Sequence, residues 1–155
     1  MNILKQMSKG TAIDLKKKNN KVTTSTNLKG KQVLVVDDNI MNRMLADVIL
    51  KEYDVLVTGA NDGEEAVNYL KNNPCDLVLM DLQMPVLNGY QASKIIRLKL
   101  KLDVPIIALT ASDSGEEKRK CYEVGMNDYL TKPFNKEQFL ETICTWIDGF
   151  NDSVT

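Results

Sequence analysis

The sequence predicts an α/β fold: a doubly wound parallel sheet of five strands with five helices. Three observations predict it. From Gln32 onward, short apolar runs alternate with amphipathic segments, the pattern of repeated βα units. The runs are apolar at consecutive positions, as strands covered by helices on both faces require. They are separated by Gly, Pro, Asn and Asp, which close one element and open the next. A chain of 155 residues holds one domain with a proper core and is too short for two.

The first run, Val33-Leu34-Val35-Val36, ends in Asp37-Asp38-Asn39, where Asn39 can cap the following helix. That helix, about Met41 to Tyr53, places Leu45, Val48 and Ile49 at i, i+3 and i+4 as its expected inward face. A second strand over Asp54 to Thr58 runs into Gly59 and Asn61-Asp62-Gly63, and the second helix carries Ala66, Tyr69 and Leu70 on one face. Pro74 stops the chain before the third strand, Leu77-Val78-Leu79-Met80, which ends at Asp81. A loop with Pro85, Asn88 and Gly89 leads to a third helix with Ala92, Ile95 and Ile96 inward. Pro105 precedes the fourth strand, Ile106 to Thr110. The fourth helix spans about Gly115 to Val124, with Gly125 placed as its C′ residue. A short fifth strand, Asp128 to Thr131, is followed after Pro133 by a helix with the core stripe Phe139, Leu140, Ile143 and Ile147. The crossovers between such parallel strands are expected to be right-handed.

Composition narrows the chemistry. With 43% hydrophobic and 26% charged residues the chain is globular, and it has no apolar run of bilayer-spanning length and no signal-peptide core. Cys75, Cys121 and Cys144 are odd in number, widely spaced and without a C-x-x-C pair, so they read as reduced and mostly buried in a cytoplasmic chain. The sequence has no histidine, which excludes a Ser-His-Asp triad, a histidine metal site and a phosphohistidine donor within it. Residues 1–31 carry eight lysines against Asp14, a charge of +7, while residues 32–155 carry 12 basic and 20 acidic side chains, a charge of −8. The basic stretch reads as a solvated leader and linker, with no aromatic residue to support nucleic-acid binding. Ile3, Leu4 and Met7 amount to one helical turn at most.

The polar residues of the predicted strands gather at their carboxyl ends, where open α/β sheets bind ligands. The first strand ends at Asp37 and Asp38, the third at Asp81, the fourth at Thr110, and Lys132 follows the fifth. Singly, each has an ordinary reading: a helix cap, a β-branched filler, a loop Lys-Pro. Unrelated roles would not favour the same edge on four strands. Three carboxylates brought together repel unless a cation intervenes, and Mg²⁺ suits, since it takes few carboxylates and keeps its waters. With Thr110 and Lys132 holding phosphoryl oxygens, Asp81 becomes a nucleophile that forms an aspartyl-phosphate.

Four ordered motifs sharpen this reading. They are Val33 to Asn39; Asp76-Leu77-Val78-Leu79-Met80-Asp81-Leu82-Gln83-Met84-Pro85 with Asn88-Gly89; Pro105-Ile106-Ile107-Ala108-Leu109-Thr110-Ala111; and Gly125-Met126-Asn127-Asp128-Tyr129-Leu130-Thr131-Lys132-Pro133-Phe134. Over about residues 32–148 they resemble the receiver domain of two-component response regulators. The resemblance implies a flavodoxin-like strand order of 2-1-3-4-5 and a receiver over 32–150 with a short tail, 151–155. It implies Asp81 as phosphoacceptor, with Mg²⁺ held by Asp38, Asp81 and the backbone carbonyl of Gln83, and by Asp37 through water. It makes Thr110 and Tyr129 the switch pair, leaves room for their movement at the small Ala111, and gives Gln83 and Ser112 a part in tuning access of hydrolytic water. Asn88 stands where an acid is common and can still cap its helix.

The wording of the motifs, with Asn42-Arg43 downstream of the first, is most similar to receivers of hybrid sensor histidine kinases. Ser8-Lys9-Gly10-Thr11-Ala12-Ile13-Asp14-Leu15 is similar to the closing strand of a kinase ATP-binding domain, so the leader is either a kinase tail or the start of a free-standing receiver. The implied partner is a histidine kinase or histidine phosphotransfer protein, with no nucleic acid or membrane contact. Homodimerisation through the face of the fourth and fifth strands is compatible with the family. An Asp-nucleophile phosphohydrolase is disfavoured, because Gln83 stands where its general acid would be, two residues after Asp81. A flavin binder is disfavoured by the strand-end acids. The expected role is signalling rather than enzymatic turnover.

Overall fold

The computed structural model describes residues 27–154, with side chains to residue 148. Residues 1–26 of the basic leader, on which the readings of Ile3, Leu4 and Met7 and of Ser8 to Leu15 fall, lie outside the described residues. Five strands alternate with five helices: β1 (Gln32–Val36), α1 (Ile40–Lys51), β2 (Leu56–Ala60), α2 (Gly63–Asn72), β3 (Leu77–Asp81), α3 (Gly89–Leu98), β4 (Ile106–Thr110), α4 (Gly115–Glu123), β5 (Asp128–Thr131) and α5 (Lys136–Val154). All pairings are parallel, in the order β2-β1-β3-β4-β5. The order reverses direction at β1, so the crevice between β1 and β3 is the switch point of the sheet.

Two apolar layers sandwich the sheet. Val33, Val35, Leu77, Leu79, Ile107 and Leu109 point to one side, where α1 and α5 pack. Leu34, Val36, Val78, Met80, Ile106 and Ala108 point to the other, against α2, α3 and α4. This strict alternation explains why β3 and β4 are buried at every position. The stripe Phe139, Leu140, Ile143 and Ile147 of α5 is buried as its spacing predicts. So are Ala92 and Ile96 of α3, while Ile95 is half-buried beside them.

The first helix departs from expectation. Its inward residues are Ala46, Ile49 and Leu50; Leu45 and Val48 are exposed. Both sets have the same spacing, so periodicity could not choose between them. The small Ala46 lets the helix approach the sheet, and the larger side chains face water. The second strand also starts later than Asp54. Asp54 takes a positive φ of 60° and Val55 turns into the core, so pairing with β1 begins at Leu56. The folded body begins before Lys31: Leu28 is buried in the core, and Gly30, at φ 79°, donates its N–H to Asp54 O at 2.9 Å.

Helix ends are closed by side chains the sequence supplies. Asn39, Asp62, Asn88 and Ser114 accept backbone N–H groups at four N-termini, and Asn88 forms a full capping box with Gln91. Gly125, at φ 96°, ends α4 in a Schellman turn, with Met126 N donating to Cys121 O at 3.0 Å and Gly125 N to Tyr122 O at 3.1 Å. Arg97 then ties α3 to the β4–β5 region, donating to Gly125 O at 2.9 Å, Leu102 O at 2.8 Å and Asn127 Oδ1 at 2.9 Å. No helix among the described residues is long and apolar enough to cross a membrane.

One glycine is tied to the sheet end that matters most. A Cβ on Gly89 would lie 2.3 Å from the backbone oxygen of Asp81. Gly89→Ala should therefore cost about 2 kcal/mol in denaturant unfolding, because the fixed backbone on both sides cannot make way. An unchanged midpoint would show that the loop yields without strain.

Candidate functional site

Backbone register brings the strand-end residues together. Val36 pairs with Met80, so the next residues on each strand, Asp37 and Asp81, arrive side by side. The ladder continues past the strands: Asp37 N donates to Ala60 O at 3.1 Å, Leu82 N to Leu109 O at 3.2 Å, and Lys132 N to Thr110 O at 2.7 Å. Asp37, Asp38 and Asp81 each present a carboxylate oxygen within 4.8 Å of the others. They share a cleft of about 240 Å³ with Gln83, Ala111 and Lys132.

Asp37 is 1% exposed, and both of its carboxylate oxygens accept hydrogen bonds. Its Oδ1 accepts the Asn39 N–H at 2.9 Å, and its Oδ2 accepts Asn42 Nδ2 at 3.1 Å. Its backbone carbonyl accepts Arg43 Nη1 at 2.6 Å. Asp81 is 5% exposed and pairs through Oδ1 with Lys132 Nζ at 3.2 Å; the same ammonium lies 3.3 Å from Asp37 Oδ2. Asp38 is exposed at the mouth.

One ammonium thus serves two buried carboxylates, with a third acid nearby. Burial, then the charge of Asp37, pushes the Asp81 carboxyl from an ordinary 3.8 up to about 6, although Lys132 and a backbone hydrogen bond from Gln83 pull the other way. Burial alone would lower Lys132, but the Asp81 and Asp37 charges prevail and hold it above the usual lysine range. The surplus negative charge and the all-oxygen donor set fit a hard divalent cation.

Thr110 and Tyr129 lie to one side of this group. Thr110 is buried at the end of β4, and its Oγ1 is 2.5 Å from Glu117 Oε1 of α4. It also accepts the Ser112 N–H at 3.1 Å. Tyr129 is half-buried on β5, with the Lys118 ammonium 4.6 Å from its ring centre. The sequence reading assigned no role to Asn42, Arg43 or Glu117. Asn42 could have been noticed, since it falls in the first turn of the helix that Asp37-Asp38-Asn39 opens. Glu117 belongs to none of the four motifs, and only the fold of the β4–α4 loop brings it to Thr110.

Comparison with known proteins agrees with this arrangement. Residues 33–144 match the response regulator receiver domain. The chain belongs to that family. It is a receiver domain of two-component signalling systems, and it is 40% identical over 119 residues to the sensor protein GacS of Pseudomonas syringae pv. syringae. That match covers 74% of this chain and 13% of GacS, so the receiver spans only a small part of such a relative. Among solved structures it is similar to the receiver of a sensor histidine kinase from Pseudomonas aeruginosa, solved with a magnesium ion coordinated in the active-site cleft. The identity is 38%, the TM-score 0.71, and the match covers 77% of this chain and 98% of that one. It is equally similar to the receiver of Ssk1 in complex with the histidine phosphotransfer protein Ypd1 of Saccharomyces cerevisiae, at 38% identity, TM-score 0.73, and 77% and 90% coverage. The strand order matches that of these receivers and of a Vibrio cholerae chemotaxis receiver.

The strained charge at Asp81 has a measurable signature in this receiver. Between pH 4 and 6 the folded chain holds a proton on Asp81 that the unfolded chain has lost, so stability falls as pH rises through that window. Asp81→Asn should raise the metal-free Tm on the order of 3 °C above pH 7, with the gain shrinking towards pH 4. A gain that is independent of pH would remove Asp81 as its source.

Proposed function

We propose that Asp81 is the phosphoacceptor of this receiver and that a Mg²⁺ ion bound beside it is required for the transfer. The observation that carries the reading is the pairing of two buried carboxylates, Asp37 and Asp81, with a single ammonium, Lys132. Asp38, Asp81 and the Gln83 carbonyl would hold the ion, with Asp37 acting through water; when bound, it would neutralise charge on the incoming phosphoryl oxygens. Among the chain's own groups, Asp81 supplies the nucleophile. A carboxylate oxygen attacks phosphorus, the P–N bond to the donor imidazole breaks, and that imidazole keeps the electron pair and takes a proton from solvent. Lys132 turns from Asp81 towards a phosphoryl oxygen, and Thr110 donates its hydroxyl proton to another. Tyr129 follows Thr110, and the surface of β4, α4 and β5 changes for an output partner or a second copy of the chain. The role is signalling without turnover of an independent substrate, in the cytoplasm.

The donor in this reading is a phosphohistidine on a kinase or phosphotransfer protein. Its docking surface is supported by α1, whose Ile40, Met41, Met44, Leu45 and Val48 are 48–67% exposed along one side. Scattered apolar residues are ordinary on a surface, but a contiguous stripe marks a protein contact. The same helix opens with Asn39 and Asn42 at the cleft, so a partner on the stripe would lie beside Asp81.

Intact mass after incubation with acetyl phosphate and Mg²⁺ tests the chemistry. The native chain should gain one phosphoryl group, and Asp81→Asn or added chelator should abolish the gain; labelled phosphate retained by Asp81→Asn would refute the assignment. Docking is tested separately. Met44→Glu with Val48→Glu should slow transfer from a phosphohistidine protein at least tenfold, each buried charge costing more than 1 kcal/mol at such a contact, while uptake from acetyl phosphate stays unchanged. Equal transfer rates would take the donor off α1.

A further inference from the structure

The phosphoacceptor reading gives Thr110 one task, to donate a hydrogen bond to a phosphoryl oxygen on Asp81. In the structure that donor is already spent. A threonine hydroxyl has one proton and a carboxylate only accepts, so at 2.5 Å Thr110 Oγ1 donates to Glu117 Oε1. The alternative acceptor, the Ser112 carbonyl at 2.9 Å, is neutral and the weaker competitor. The Ser112 N–H, donating to Oγ1 at 3.1 Å, fixes the remaining side of the oxygen. Thr110 is buried, so water does not readily replace Glu117 as its partner.

Glu117 is itself well placed to hold on. It is the third residue of α4, where its own N–H donates to the Ser114 cap at 3.2 Å and the helix dipole favours a negative side chain. It also lines the cleft that contains Asp81 and Lys132. The next residue, Lys118, reaches the Tyr129 ring at 4.6 Å and is tethered to Asp113 at 2.9 Å. One turn of α4 therefore touches both residues of the switch pair.

We propose that Glu117 is a positioning residue that holds the Thr110 hydroxyl in the resting state and sets how much phosphoryl binding is needed to throw the switch. The proposal rests on the reading of Asp81 as phosphoacceptor. For Thr110 to reach a phosphoryl oxygen, its bond to Glu117 must break, and the exchange of one charged acceptor for another leaves the two states close in free energy. Because Lys118 lies on the same turn, release of Glu117 also loosens the contact over Tyr129. The output is thereby coupled to the fate of a single proton.

The test uses the full chain with Mg²⁺ and beryllofluoride, a phosphoryl analogue, titrated by calorimetry on the native protein, Glu117→Ala, Glu117→Gln, Thr110→Ala and the double variant Thr110→Ala/Glu117→Ala. Glu117→Ala should tighten analogue binding about fivefold, the loss of one competing hydrogen bond. Glu117→Gln, which keeps a weaker acceptor, should fall between it and the native chain. In the Thr110→Ala background the Glu117→Ala substitution should have no effect, since the hydroxyl it restrains is gone. An effect that persists there would mean that Glu117 merely repels the anion and would overturn the proposal. Native-like binding by folded Glu117→Ala would overturn it too, with the phosphoacceptor reading intact. Failure of the native chain to bind the analogue, with no phosphoryl uptake from acetyl phosphate, would instead sink the reading beneath it.

Discussion

The rest of the structure depends on two carboxylates, Asp37 and Asp81, held out of water at adjacent strand ends with one ammonium between them. Such a group is costly to assemble, and its cost must be met by elements that cannot move apart. The sheet provides them. Parallel pairing of β1 with β3 fixes the two acids side by side, and pairing of β4 with β5 delivers Lys132 next to Thr110. The amides of Asn39 and Asn42 complete the shell of Asp37, which leaves Asp81 as the less satisfied partner.

That inequality sorts the two acids. Asp37 accepts from two amide N–H groups and the lysine, so its charge is well solvated by fixed dipoles. Asp81 has Lys132 and the Gln83 amide against burial and a neighbouring charge, and its carboxyl rises accordingly. Under the proposed reading, a carboxylate that is buried yet under-solvated suits the nucleophile's part better than one wrapped in hydrogen bonds, and the same shortage suits it to a cation. Gly89, pressed against the Asp81 carbonyl, and the capping box at Asn88 hold the next loop close enough for Gln83 to take part.

How far the sequence discloses this follows from the same physics. Strand-end chemistry was legible because the central strands β1, β3 and β4 are apolar up to their ends, so a terminal Asp or Thr stands out against them. The caps at Asn39 and Asn88 and the turn at Gly125 were legible because each uses one residue type for one backbone task. The face of α1 was not, since two apolar stripes with equal spacing compete and only the fit of Ala46 against the sheet decides. Nor was the start of β2, which a positive φ at Asp54 delays by two residues. Leu28 escaped notice because a single apolar residue in a lysine-rich stretch carries no periodicity. Glu117 lay beyond reach for a different reason: its partner is seven residues away across a loop whose course no local pattern specifies.

Under the proposed reading, the cleft divides its labour between two helices that lie on opposite faces of the sheet. The α1 side contributes the amide partners of Asp37 and an apolar stripe, features suited to receiving a protein donor. The α4 side contributes Glu117 and Lys118, contacts that a new anion on Asp81 would compete with. Lys132 belongs to both, since it must leave a carboxylate to meet a phosphoryl oxygen. Such an arrangement lets the donor and the output surface be distinct, and signals can pass between them without either partner touching the other. The linkage needs no long path of side chains. It needs only that Thr110 has a single proton, and that one acceptor for it lies on α4 while the other arrives on Asp81.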